Sequence, residues 1–456
     1  MHKKTHFAIN AAAISMLVSL LPAAHAADQP IASTAAAWQK PAWLTDLSLG
    51  IKESYDDNVF LSGVDPKFYS SGYTVPSGSV AALENRWSWV TTVSPKLGVN
   101  FAPLLGKQTA WQTLSLAYAP DIAVYHDQTS ENYEAHRFSA GVKGKADAFS
   151  FGLDEAFTYV HGSDYGPLYP GNYVTAYNVG APRERREQIQ DRAAVVFQYD
   201  WNKWFVRPTA SLVYYDLMTK QLDVNGYQNF EDRYDVNGGA DFGCKILPHL
   251  AVTLGYRYGH QYQEQFSFSN MSVPNDYQRV LLGVEGKPWS WLTVKIQGGP
   301  DFRNYEGDSA THNTPVKNLN MITYYGEASL TATISPKDLL TFYYKGWQWV
   351  SSIGRVAYFD STYDLNYHRK LTDKLNLDLG GRLLTADYTM GNLSTSARDD
   401  SQYTVSAGLA YALNTHVNLN VAYALDLGRN AQDNVVNAET REYDHQLVSL
   451  GAVVKF

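Results

Sequence analysis

The sequence predicts an all-β fold: a single transmembrane antiparallel β-barrel of about 18 strands, with 16 strands as the alternative. Three observations lead to this prediction. Apolar and polar side chains alternate along most of the chain, many alternating segments are near or above ten residues long, and short connections alternate with long ones. Such segments suit tilted strands that cross a bilayer, whereas strands of soluble proteins average roughly five or six residues. Short turns on one side and longer loops on the other are typical of outer-membrane barrels.

Residues 417–426 show the alternation clearly, because Val, Leu and Tyr occupy every second position and Asn, Ala and Asp lie between them. Residues 252–259 and 292–297 follow the same rule. Successive side chains of a strand face opposite sides of the sheet, so each segment has one apolar face and one polar or small face. Because lipid offers no partners for an open sheet edge, we expect these strands to close into a barrel with the apolar face outward.

Composition excludes several other classes of protein. Charged residues make up 18% of the 456 residues and aromatic residues 14%, and mean hydropathy is negative, which argues against both disorder and a multi-span helical membrane protein. The single cysteine, Cys244, excludes an internal disulfide framework and thiolate metal sites. The formal charge of −8 argues against a basic nucleic-acid surface, so we expect no nucleic-acid partner.

The domain organisation follows from the N-terminal segment. Lys3 and Lys4 precede an apolar stretch over residues 7–21, and the small residues of Ala24-His25-Ala26 follow it, so residues 1–26 read as a signal peptide cleaved after Ala26. Residues 27–44 then form a short periplasmic segment, too short for a folded plug, and residues 45–456 form the barrel. We therefore expect the protein in the outer membrane.

Aromatic side chains near segment ends suit the girdles at the two membrane interfaces. The candidates are Trp87, Trp89, Trp111, Tyr125, Trp201, Trp204, Trp289, Trp291, Trp347 and Trp349. The long loop over residues 161–183 has the ordinal place of the loop that narrows general porins. It either folds into the channel or stays exposed, and the exposed arrangement is the preferred interpretation.

When the apolar side chains are placed outward, a set of charged side chains faces the lumen. The basic members are Lys52, Lys96, Arg137, Lys143, Arg192, Arg207, Arg233, Lys245, Arg257, Arg279, Lys295, Arg382 and Lys455. The acidic members are Asp121, Asp154, Asp235, Asp241, Glu285, Glu327, Asp360, Asp364, Asp378 and Asp426. They either line a water-filled pore or lock into a closed salt-bridge network. The many lumen-facing Gly, Ala and Ser residues favour the open pore, with weak ion selectivity that Arg207, Arg257 and Lys295 bias toward anions.

Two segments resemble known families. Residues 449–456, which end in Phe456, resemble the C-terminal strand of bacterial outer-membrane proteins, and the resemblance implies that the barrel-assembly machinery reads Phe456. Residues 47–61, with the letters YDDNVF, and residues 93–98 resemble the first two strands of the β-barrel porin 2 family. This resemblance implies an outer-membrane barrel, sometimes associated with exopolysaccharide systems, and assigns neither substrate nor catalytic residue.

Asp56, Asp57 and Asn58 within that resemblance offer oxygen ligands for Ca²⁺, but no EF-hand spacing follows. A solvated strand end is the preferred interpretation, so we expect no metal and no cofactor. We also expect no enzyme, because no spacing singles out a Ser–His or Asp–His set.

The predicted function is a porin-like channel for passive diffusion of small hydrophilic solutes. The alternative is a non-catalytic barrel that serves as a scaffold or conduit, associated with exopolysaccharide or binding glycan. Expected partners are outer-membrane lipid and lipopolysaccharide, the barrel-assembly machinery, and either further copies of the chain or an exopolysaccharide or secretion component.

Overall fold

The computed structural model describes residues 40–59, 61, 86–106, 110–162, 187–218, 232–263, 274–305, 320–350, 357–387, 398–432 and 443–456. The predicted signal peptide lies outside this range, as does the predicted loop over residues 161–183 from residue 163 onward. Among the described residues, no helix is long and apolar enough to cross a membrane.

Nineteen strand segments form one sheet. They are β1 (Leu44–Asp56), β2 (Ser88–Asn100), β3 (Trp111–Tyr118), β4 (Asp121–Tyr125), β5 (Tyr133–Ala146), β6 (Phe149–His161), β7 (Gln188–Trp201), β8 (Trp204–Asp216), β9 (Arg233–Leu247), β10 (Leu250–Gln263), β11 (Asn275–Trp289), β12 (Leu292–Tyr305), β13 (Met321–Ser335), β14 (Asp338–Trp349), β15 (Tyr358–Lys370), β16 (Leu375–Asp387), β17 (Arg398–Ala412), β18 (Val417–Gln432) and β19 (Tyr443–Lys455).

Segments β3 and β4 are two halves of one barrel strand, because both pair with β2 on one side and with β5 on the other. The break falls at Ala119 and Pro120. Proline has no backbone N–H and interrupts the ladder there. The nineteen segments therefore make 18 barrel strands.

The sheet closes on itself because β1 pairs antiparallel with both β2 and β19. Each strand has two antiparallel neighbours, so the sheet has no free lateral edge of the kind that lipid cannot satisfy. The prediction of an 18-stranded antiparallel barrel is confirmed, and the alternative of 16 strands is wrong.

Short turns join the strands at one end, which we call the turn end. They include Asn202-Lys203, Pro248-His249 and Pro336-Lys337. Asn202 has a φ of 55°, in the left-handed region that Asn tolerates better than most residues. We call the opposite end, where consecutive strands are separated by longer stretches of sequence, the loop end. Short turns are typical of the periplasmic side of an outer-membrane barrel, to which the turn end corresponds.

The outer face of the barrel is a belt of exposed apolar side chains, among them Leu254, Leu282 and Ile296. Exposed Trp89, Trp111, Trp201, Trp289 and Trp291 lie near strand ends, as predicted for the girdles. The girdle prediction is wrong for Tyr125, Trp347 and Trp349, which are buried inside the barrel. The position of an aromatic residue near the end of an alternating segment does not show which face it occupies, because large aromatic side chains also occur on the interior face.

The loop end of β14 leaves the barrel wall and turns inward. Its pairing with β13 stops at Gly346, although its pairing with β15 continues to Trp349. Residues 346–350 are all buried, whereas a strand in the wall would expose every second side chain to lipid. We call residues 346–350 the inward segment.

Candidate channel interior

The inward segment contacts β8 and β9, which lie six and five strands away from β14 around the barrel. Trp347 and Trp349 stack with ring centroids 4.6 Å apart and pack against Val213 and Tyr215 of β8. The Arg233 guanidinium of β9 donates to the backbone oxygen of Val350 at 2.7 Å and lies 4.9 Å from the Trp349 ring centroid. These contacts join β14 to β8 and β9, which are not its neighbours in the sheet. The side chains of the inward segment therefore fill the part of the lumen between these strands.

A buried ionic cluster continues this filling along β9–β12. Asp301 accepts hydrogen bonds from Arg279 Nε at 3.1 Å and from Arg303 Nη2 at 2.8 Å. Arg303 also donates to Gln261 Oε1 at 2.8 Å. Asp235 accepts from Gln261 Nε2 at 2.8 Å and from the Tyr277 hydroxyl at 2.9 Å. Each of these side chains has at least one protein partner in place of water, although Asp301 Oδ1 and Arg279 Nη2 are buried without a hydrogen-bond partner among the residues that the structure describes.

A second cluster lies closer to the turn end. Arg207 binds Glu285 with two parallel hydrogen bonds of 2.8 and 2.7 Å and reaches Asp241 at 3.1 Å. Arg257 binds the same Asp241 at 2.7 Å. A Cβ atom at Gly255 would lie 2.5 Å from the Asp241 carboxylate, so this glycine makes room for the ion pair and not for a pore. We call the interior faces of β8–β14 the packed sector.

Further predicted residues belong to the packed sector or its border. Glu327 accepts from Gln297 and from the Tyr325 hydroxyl, both at 2.9 Å. Lys295 lies opposite Glu285 in the register of β11 and β12. Arg192 of β7 donates to the Tyr215 hydroxyl.

The interior faces of β1–β6 differ, except near their loop ends, where Val90, Ala123 and Tyr125 form a buried cluster. We call the remaining part of these faces the open sector. Here Lys96 pairs with Asp46 at 2.7 Å, Arg137 pairs with Asp121, and Lys143 approaches Asp154 at 3.3 Å. The basic side chains of these pairs are 41%, 40% and 55% exposed, against 5% for Arg279 and 0% for Arg303. Lys52 lies in this sector opposite Thr92. The ion pairs of the two sectors therefore differ in how far their basic side chains are exposed.

Strands β15–β19 carry pairs of intermediate exposure. Arg382 donates to Asp364 at 2.7 Å, and His368 contacts Asp378 at 2.7 Å. Arg207 and Arg257, which we expect to bias ion preference together with Lys295, are both ion-paired in the second cluster.

The Asp56-Asp57-Asn58 segment is not a solvated strand end, and that interpretation is wrong. Asp56 and Asn58 are buried, and Asn58 Nδ2 donates to the backbone oxygen of Asp444 at 2.8 Å. His445 lies between Asp56 at 3.1 Å and Asp426 at 3.2 Å. Although ligand atoms of Asp56, Asp57 and His445 lie within 4.8 Å of one another, these bonds join the first and last strands of the barrel, which accounts for the burial.

Phe456 follows β19 directly. Its backbone N–H donates to the oxygen of Leu47 in β1 at 2.9 Å, and its side chain is exposed. The C-terminus therefore lies at the closing seam of the barrel, at the turn end.

Sequence reasoning missed Asp301, Arg303 and Gln261, which are completely buried in the packed sector. A signal for two of them was present, because the exposed Phe302 lies between Asp301 and Arg303 and sends both neighbours inward.

No protein-family model matches the sequence, and no curated protein matches it. Several solved structures are similar to this chain, with low sequence identity and low TM-scores. OccAB3 of Acinetobacter baumannii is 11% identical over 90% of this chain and 99% of its own, with a TM-score of 0.40. The outer-membrane protein opdK of Pseudomonas aeruginosa has the same identity, coverage and TM-score. The ferric citrate transporter FecA in its unliganded form is 8% identical over 91% of this chain and 79% of its own, with a TM-score of 0.39.

Proposed function

We propose that the protein is an outer-membrane channel for passive diffusion of small hydrophilic solutes, and that the solutes pass along the open sector. The observation that supports this most is the exposure of the ion pairs on β1–β6 inside a closed barrel. Charged side chains that face a water-filled passage keep their hydration, whereas those of the packed sector have exchanged water for protein partners. The path is therefore eccentric, beside the packed sector.

Single-channel recording in planar bilayers tests this function. Purified protein that runs as a folded, heat-modifiable barrel on a gel should insert in ohmic steps, and liposomes that contain it should swell in solutions of small sugars. A folded barrel that neither conducts ions nor supports swelling would overturn the proposal.

The packed sector favours one second candidate. A barrel whose lumen is largely filled can act as a non-catalytic scaffold or conduit, with an exopolysaccharide, glycan or secretion component as partner. A folded but silent barrel in the same recordings would favour this candidate.

The proposal includes export with cleavage after Ala26 and insertion into an outer membrane that contains lipopolysaccharide. The resemblance to the β-barrel porin 2 family stays a prediction.

The proposal also includes the role of Phe456 as the signal for the barrel-assembly machinery. Deletion of Phe456 should lower the yield of inserted, heat-modifiable barrel while synthesis and export continue. An unchanged yield would contradict that role.

A further inference from the structure

One carboxyl group occupies an unusual place on the outer face of the barrel. Glu155 lies on β6, six residues from either end of that strand. Its neighbour Asp154 turns inward to meet Lys143, so Glu155 points outward, on the same face as Phe157. Among the described strands, the other outward-facing charged side chains lie within four residues of a strand end. Glu155 is thus the one charged side chain near mid-height on the lipid-facing surface of the described strands.

A carboxylate at this height does not suit contact with lipid. Charged side chains on the lipid face destabilise a barrel most at the bilayer midplane. Within the described part of the chain, Glu155 also makes no hydrogen bond or ion pair that would compensate. A partner from outside the chain would supply the hydrogen bond that the barrel itself does not give to Glu155.

The residues beside Glu155 indicate what that partner is. The strand register places Ala140 of β5 and Ala193 of β7 directly next to Glu155, and Leu116 and Leu212 next to the alanines. We call these five residues the Glu155 row. The order Leu–Ala–Glu–Ala–Leu is the same read in either direction. A two-fold axis along the membrane normal through Glu155 brings this residue against its own copy, and because barrel strands tilt by about 35–45°, the two rows cross there with an alanine on either side.

We propose that the Glu155 row is the contact surface of a parallel homodimer, with the two Glu155 carboxyl groups facing each other at the two-fold axis. A protonated carboxyl group donates one hydrogen bond and accepts others, so two facing carboxyl groups satisfy each other once a proton lies between them. The small alanines let the second barrel approach closely enough for this contact.

Aromatic rings border the row above and below. Toward the loop end, Phe138 stacks on Tyr118 with centroids 4.5 Å apart. Toward the turn end, Phe149 stacks on Phe197 at 6.1 Å. These stacked rings give the same face rigid apolar surface on both sides of the polar contact, which a second copy would bury.

Cysteine cross-linking in isolated outer membranes tests the dimer, in a background where Cys244 is replaced by Ser. Glu155→Cys lies on the proposed axis and should link to itself far more than Leu365→Cys, an outward-facing mid-height control on β15 across the barrel. With Glu155 intact, a copy carrying Ala140→Cys should link to a differently tagged copy carrying Ala193→Cys. Glu155→Gln should retain this second link because amides also pair, whereas Glu155→Leu should reduce it severalfold.

Heat-modifiable gel mobility verifies that each variant is a folded barrel. The proposal is overturned if Glu155→Cys links no better than Leu365→Cys, or if Glu155→Leu leaves the Ala140–Ala193 link unchanged. Linkage of Glu155→Cys to a different protein would likewise overturn it. Since the conductance of a single barrel does not depend on this surface, loss of the dimer and loss of channel activity are separate outcomes.

Discussion

Arg303 and Arg137 carry the same charge on the same face of the barrel, but their surroundings give them different roles. Arg303 is fully buried and donates to Asp301 and Gln261, whereas Arg137 is 40% exposed beside Asp121. Removing one partner of a buried ion pair leaves an uncompensated charge, while an exposed pair contributes little. The packed sector therefore stabilises the barrel, and under the proposed function the open sector acts on the solutes that pass.

Arg303→Gln leaves Asp301 paired with Arg279 but removes the buried donor to Gln261 and Asn275, so it should lower the free energy of unfolding by about 1–3 kcal/mol. The matched variant Arg137→Gln should lower it by less than about 1 kcal/mol. Urea unfolding in lipid vesicles measures both. Equal losses for the two variants would contradict the division into sectors.

Under the proposed function, the charged side chains of the open sector set the ion preference. Replacing Lys96, Arg137 and Lys143 together by Gln leaves Asp46, Asp121 and Asp154 without their cations, so the passage becomes more negative. The reversal potential under a salt gradient should shift toward cation selectivity, and the shift should shrink as ionic strength rises. An unmoved reversal potential in a conducting variant would show that ions do not pass these side chains.

At the scale of elements, the inward segment decides how much of the lumen is filled. Trp349→Ala removes the ring that packs against Tyr215 and Arg233, which should cost roughly 3–5 kcal/mol of stability. It should also raise single-channel conductance by loosening the segment. Trp289→Ala, on the outer face, is the control and should leave conductance unchanged. Conductance that falls in Trp349→Ala would mean that the segment holds the passage open.

The strands themselves were predictable, and the inward segment was not. Residues 417–426 alternate because one face meets lipid and the other the lumen, a local constraint that is visible in the sequence. Trp347 and Trp89 look alike in such a pattern, because each is a Trp near the end of an alternating segment. What turns Trp347 inward is contact with β8, more than a hundred residues away in sequence, and periodicity does not report such contacts.

The same limit applies to the candidate site. Alternation placed Arg207, Asp241 and Glu285 on one face, but which cation meets which carboxylate depends on the register of four strands. The small lumen-facing residues favour an open pore when read from the sequence, but at Gly255, which is one of them, the Asp241 carboxylate occupies the space. Burial in the sheet, and not residue type, separates a pore-lining charge from a structural one.

The whole molecule is a closed 18-stranded barrel, and we propose that its solute path lies on one side of the lumen. Ser139 faces the interior of β5 and is exposed, whereas Thr253 faces the interior of β10 and is buried. Both positions can carry a single cysteine in the background where Cys244 is replaced by Ser, and both can be treated with a charged, thiol-reactive reagent during recording.

The most direct test is the conductance of these two variants before and after the reagent. We expect a stepwise loss of conductance with Ser139→Cys and no change with Thr253→Cys. Loss of conductance with Thr253→Cys alone, or no change in either variant of a conducting barrel, would contradict a path along the open sector.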